Sequence, residues 1–147
     1  MLVRLLYASR ANQPFAAADV DAIASTSHTN NPRHGITGVL CYGGGVYLQA
    51  LEGSREAVSQ LFTNIVRDTR HHDILLLHYH EVNEREFAGW TMGCVSTARV
   101  NAATLLRFSP TGELDPWHAT SAASLALLRE LAASAAVAGR PADRPRG

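Results

Sequence analysis

Ile36-Thr37-Gly38-Val39-Leu40-Cys41-Tyr42-Gly43-Gly44-Gly45-Val46-Tyr47-Leu48-Gln49-Ala50-Leu51-Glu52-Gly53-Ser54 reads as two apolar strands, over 36–42 and 46–52, joined by a three-glycine turn. Glycine supplies the positive φ angles that a tight hairpin requires. Ser54 then stands as an N-cap with Glu56 in the first turn, and Val58, Leu61, Phe62 and Ile65 recur at i, i+3, i+4 and i+7. That spacing predicts a helix with one apolar face. Upstream, 2–9 reads as a strand and 15–28 as a helix after Pro14, with Val20, Ile23 and Ser27 on one face and a break at Asn30-Asn31-Pro32. Downstream, 74–82 and 90–95 read as strands, separated by 84–89, which suits one helical turn. The order βαββαββ predicts an α+β fold. It is that of a ferredoxin-like sandwich with one added strand, two helices covering one sheet face.

The second sheet face is also apolar. In the first strand Val3, Leu5 and Tyr7 alternate with Leu2, Leu6 and Ala8, and in the third Tyr47, Gln49 and Leu51 alternate with Leu48 and Ala50. An uncovered apolar face of that size invites association. The segment 102–108, Trp117 and an alanine- and leucine-rich helix near 121–137 are therefore expected to cap it or to form an oligomer contact. The expected division is 1–95 as the core domain, 96–138 as a helical cap and 139–147 as a disordered tail with nothing to bury.

With 147 residues the chain has the size of one domain, and 13 basic residues balance 13 acidic ones. Without a cationic block, neither nucleic acid nor an anionic membrane is an expected partner. Cys41 and Cys94 lie in apolar runs without a metal or redox motif and read as reduced core residues of a cytoplasmic protein. No signal peptide is expected, because strand residues begin at Leu2. The longest apolar stretch, 119–138, is mostly alanine and contains Arg129 and Glu130, which argues against a membrane span.

Function is suggested by polar residues that interrupt apolar runs. Tyr7 and Gln49 stand where a core strand would carry another aliphatic residue, and an unpaired buried amide costs about 1–3 kcal/mol. With Asn30, Asn31, Trp90 and Met92, four elements offer a phenol, three amides, an indole and a thioether. Each has an ordinary reading. Tyr7 alone is a core tyrosine with one hydroxyl partner, Asn30-Asn31-Pro32 a turn, Trp90 and Met92 core or interface residues, Ile23 and Ile65 plain core. In combination that reading needs five coincidences at the ends of adjacent elements. His71-His72 and His78-x-His80 lack a third ligand at a typical spacing and read as solvated edge histidines, so no metal is expected.

Leu6-Tyr7-Ala8-Ser9, Asn30-Asn31, Ile36-Thr37-Gly38-Val39-Leu40, Tyr47-Leu48-Gln49-Ala50-Leu51-Glu52-Gly53 and Phe87-x-x-Trp90-x-Met92 together resemble the BLUF domain, a blue-light sensor that uses flavin. The resemblance covers residues 1–95 and is closest to the short, stand-alone members. It implies a non-covalent flavin, FAD with FMN or riboflavin as alternatives, lying between the two helices and hence between Ile23 and Ile65. Asn30 and Asn31 match the amides at the pyrimidine edge, and Asp68, Arg70 and His71 match positions near the ribityl and phosphate part. Asn64 stands where many members carry a basic or histidine side chain, which implies fewer cations at the phosphate. The resemblance further implies that Tyr7, hydrogen-bonded to Gln49, is the electron and proton donor, and that Trp90 and Met92 relay the change into strand five. From there the C-terminal helices would pass it to a protein partner, the sensor itself being a homo-oligomer and not an enzyme.

Two other classes fit parts of the pattern. Acylphosphatase-type hydrolases share βαββαβ and a Glu-Gly turn like Glu52-Gly53-Ser54, but Ser9-Arg10-Ala11-Asn12 has no glycine to bring the backbone against a phosphate. A colourless dimerisation module needs only the apolar second face. The colour of the purified protein separates the three.

Overall fold

The computed structural model describes residues 1–12 and 33–134. The helix expected over 15–28 with its Ile23, the Asn30-Asn31 break, and the tail over 139–147 lie outside the described residues. The described elements are β1 (Leu2–Ala11), β2 (Thr37–Gly43), β3 (Val46–Ser54), α1 (Arg55–Arg67), β4 (His71–Val82), β5 (Gly93–Ser96), α2 (Ala102–Phe108) and α3 (Ser121–Ala132), with single 3-10 turns at Thr97–Arg99 and Pro116–His118.

The five strands form one sheet in the order β4-β1-β3-β2-β5. β1 runs antiparallel to β3 and β4, β2 runs antiparallel to β3, and β5 is the added edge strand, parallel to β2. The hairpin closes through Gly44 and Gly45, at φ +58 and +75, where a side chain would be strained. Gly38 is required for a different reason: a Cβ there would lie 2.1 Å from the Ala50 carbonyl oxygen. Helix α1 begins where Ser54 accepts a hydrogen bond from the Ala57 N–H at 3.1 Å, and it ends at Asp68, whose backbone leaves the helical region.

Two apolar layers flank the sheet. On the first face Val3, Leu5, Tyr7, Leu40, Leu51 and Met92 pack with Val58, Leu61, Phe62 and Ile65 of α1. On the second, Leu6, Ala8, Val39, Leu48 and Ala50 are covered by Leu105 of α2 and by Leu125, Leu127, Leu128 and Leu131 of α3. The C-terminal helices thus cap the second face. Arg10 at the end of β1 adds to the clasp, its guanidinium lying 3.9 Å from the Trp117 ring centroid. Cys41 is fully buried, with its thiol pushed up to about 12 by desolvation; Cys94 is half-buried, and both are free.

Three expectations need correction. The strand read over 90–95 is only Gly93–Ser96, so Trp90 and Met92 precede it. The Trp90 N–H turns back to the Phe87 carbonyl at 3.0 Å, and pairing with β2 starts only at Val39 opposite Gly93. The helical turn read over 84–89 is a series of bends and a turn, because Glu86 and Phe87 give their N–H groups to the Glu52 carboxylate rather than to a helical ladder. The strand read over 74–82 starts at His71, since Arg10 and Ala11 extend β1 to pair with His72 and His71. The register shift between Ala8 and Arg10 there is accommodated by Asp73 at φ 51, a bulge that alternation of apolar residues does not reveal.

Candidate functional site

Pairing of β1 with β3 sets Tyr7 directly opposite Gln49. The Tyr7 hydroxyl donates to Gln49 Oε1 at 2.5 Å, at the short end of the range for O–H···O bonds, and Gln49 Nε2 donates to the Met92 sulfur at 3.2 Å. Three buried side chains from β1, β3 and the segment before β5 thus form one hydrogen-bonded chain. Burial, with smaller contributions from Tyr47 and Asp68, holds the Tyr7 hydroxyl well above the ordinary tyrosine range. It is therefore a neutral phenol and a donor. The Tyr7 ring packs against Phe62 of α1, centroids 5.6 Å apart and tilted by 52°.

The other expected site residues divide. Ile65 is half-buried against the same cluster. His71 sits alongside, Nδ1 at 2.7 Å from Ser9 Oγ and Nε2 at 2.6 Å from the Ile65 carbonyl oxygen. A carbonyl only accepts, so Nε2 carries a hydrogen. The Arg70 guanidinium is turned onto Asp68, with Nη2 at 2.6 Å from Oδ2, and this hydrogen bonding lowers the Asp68 carboxyl below its usual range. Asn64 is exposed on α1, where its Oδ1 accepts from Gln60 at 3.5 Å. Trp90 is buried on the opposite side of the sheet from Met92, in the cluster that holds Leu125 and Leu128. Ile23, Asn30 and Asn31 lie outside the described residues. Among the described residues no group of three or more His, Cys, Asp or Glu side chains is placed to hold a metal, and no helix is long and apolar enough to cross a membrane.

The sequence reading missed a second buried polar unit. Glu52, fully buried, accepts from Arg4 Nε at 2.9 Å and from the backbone N–H groups of Glu86 and Phe87 at 2.8 and 2.7 Å. Opposite charges at Arg4 and Glu52, on the same parity as Leu6 and Leu48 in strands that pair, were the available sign. Ser9, Arg10 and Ala11 are strand residues, and Ser9 is buried against His71 rather than forming a phosphate loop.

The family described as sensors of blue-light using FAD, abbreviated BLUF, matches residues 2–93. The chain belongs to the BLUF family. Photoactivated adenylate cyclase subunit beta of Euglena longa is 37% identical over 92 residues, which are 62% of this chain and 11% of that protein. This BLUF chain therefore spans about a tenth of the length of the curated relatives it matches. Among solved structures, BlsA in its photo-activated state superposes with a TM-score of 0.80 at 30% identity, over 91% of this chain and 96% of that one. BlrB, a BLUF protein in its dark state, gives 0.74 at 35% identity, over 90% and 96%. The ferredoxin-like α+β fold is shared with these BLUF structures.

BLUF domains bind flavin, and the described residues have the chemistry for it. The Gln49 nitrogen carries a second hydrogen that the weakly accepting Met92 sulfur does not use, and a flavin ring edge offers carbonyl and imine acceptors. Tyr7, Phe62 and Ile65 supply apolar surface suited to an aromatic ring.

Proposed function

We propose that this chain is a blue-light photoreceptor that holds flavin non-covalently and converts absorption into a rearranged hydrogen bond at Gln49. The observation that carries this reading is the buried Tyr7–Gln49–Met92 chain. Tyr7, Ile23, Asn30, Asn31, Gln49 and Ile65 would hold the ring, with Asn64, Asp68, Arg70 and His71 toward the ribityl and phosphate end. FAD is the flavin favoured, as the family description implies; FMN and riboflavin are the alternatives. When bound, flavin supplies a blue-light-activated one-electron oxidant.

Tyr7 would give up one electron to that oxidant, and its hydroxyl proton would pass to Gln49 Oε1 along the 2.5 Å bond. The coupling follows from burial, because a phenol that holds its proton this firmly loses it only as the electron leaves. Gln49 is left rotated or tautomerised after the electron and proton return, so no substrate is consumed and the chain is not an enzyme in this role. With flavin bound, the new amide arrangement would bond the ring edge more strongly, which a red-shifted absorption would report. One rearranged buried hydrogen bond is worth about 1–3 kcal/mol, and about 1.4 kcal/mol shifts an equilibrium tenfold. That is enough to bias a poised contact without a large motion.

The output proposed is release of Met92 from Gln49, movement of the segment before β5, and transmission through Trp90 to the C-terminal helices. Residues 1–95 would be the sensor and 96–138 the cap and output surface of a homo-oligomer that meets a downstream protein in the cytoplasm. Gln49→Ala tests the reading: it should bind flavin, because the apolar surface remains, and should lose the reversible red shift. A full-sized shift in that variant contradicts the proposal.

A further inference from the structure

The segment 83–92 is fixed at two points by the strand that carries Gln49, and between them the Trp90 carbonyl accepts from the Gly38 N–H of β2 at 3.0 Å. Near its start, the buried Glu52 carboxylate of β3 takes the N–H groups of Glu86 and Phe87. Arg85 reinforces this anchor through the Gly35 carbonyl at 2.7 Å and Thr37 Oγ1 at 2.9 Å. At its end, Met92 accepts from Gln49. Between the anchors the chain crosses from one sheet face to the other, so Phe87 and Trp90 lie among the leucines of α3 while Met92 lies beside Tyr7. Glu86 also points outward from the anchor, with Oε1 at 3.0 Å from Arg129 Nη2 of α3 and 4.0 Å from Arg4 Nη2.

The two anchors differ in kind. Glu52 uses a charge, two backbone donors and a buried guanidinium; Gln49–Met92 is a neutral bond to a weak acceptor. A disturbance at Gln49 frees the second and leaves the first. We infer that 83–92 is a lever between the Tyr7–Gln49 pair and α3, with the Glu52 carboxylate as its fixed pivot and the Glu86–Arg129 ion pair as its grip on the helix. This rests on the reading of Gln49 as the light-driven element and adds the positioning residues through which α3 responds. The ion pairs of Arg129 and Glu86 run to each other and to Arg4, outside the Tyr7–Gln49–Met92 chain, so cutting the grip separates output from photochemistry.

The test uses the full chain loaded with flavin, with hydrogen exchange of the α3 amides measured in the dark and under blue light beside the absorption shift. In the parent, light is expected to change α3 exchange. In Arg129→Gln, dark exchange of α3 should move toward the lit value by up to about fivefold, the bias a partly exposed ion pair supplies. The light-minus-dark difference should shrink accordingly, Glu86→Gln should reproduce the effect, and Arg129→Lys should restore it. The red shift should be the same in all four proteins. A parent that shifts to the red without any change in α3 overturns the lever, as does an undiminished difference in Arg129→Gln. A parent that binds flavin and never shifts overturns the photochemical reading instead, and the lever with it.

Discussion

Tyr7→Phe is expected to bind flavin as the parent does and to lose the reversible red shift completely. The substitution keeps the ring that packs on Phe62 and removes only the hydroxyl that donates to Gln49 Oε1. Leaving that amide oxygen without its donor costs about 1–3 kcal/mol. A domain is stable by about 5–15 kcal/mol, so the variant should fold. What it lacks is the proton that must accompany the electron. Absorption spectra before and after blue illumination check it, and a reversible shift of parental size would remove Tyr7 from the mechanism.

Truncation after Ser96 has the second large effect, on assembly and stability. It removes Leu125, Leu127, Leu128 and Leu131, each at most 7% exposed, from the sheet face that carries Leu6, Leu48 and Ala50. Burying one such side chain is worth about 1.5–3 kcal/mol, so the four together approach the whole stability of a domain. The truncated chain should aggregate or enlarge in size-exclusion chromatography with light scattering, and melt well below the parent. Tyr7, Gln49, Ile65 and Met92 all precede the cut, so any fraction that stays folded and takes up flavin should still shift to the red. A truncated protein with the parent's mass and melting temperature would show that α2 and α3 stabilise nothing.

The hairpin, the cap of α1 and the two apolar faces were legible because each rests on a local period or a local donor. Val3, Leu5 and Tyr7 alternate with Leu6 and Ala8, and both sets are buried on opposite faces. That the second face needs cover, from a cap or an oligomer contact, followed from the same alternation, since the two helices expected on one side leave the other bare. Of the pairings between side chains distant in sequence, Tyr7 with Gln49 came from the family resemblance, and the others were not legible. Arg4 with Glu52 needed the register of β1 against β3, and Glu52 with Glu86 and Phe87 needed the path of an irregular segment. That same capture of backbone N–H groups broke the helical turn read over 84–89 and shortened β5, which set Trp90 and Met92 on opposite faces. At the candidate site, the Tyr7–Gln49 approach was anticipated and is present, whereas the Met92 sulfur as the amide's partner and the pairing of Arg70 with Asp68 were not. A charge suited to a phosphate looks the same in sequence whether it is free or already matched two residues away.

The most direct measurement is the absorption spectrum of the purified chain, reconstituted with FAD, before, during and after blue light. Bound flavin bands are expected to move to longer wavelength on illumination and to return in darkness through repeated cycles. Flavin that binds but only bleaches, or a protein that takes up no flavin, would contradict the proposed function.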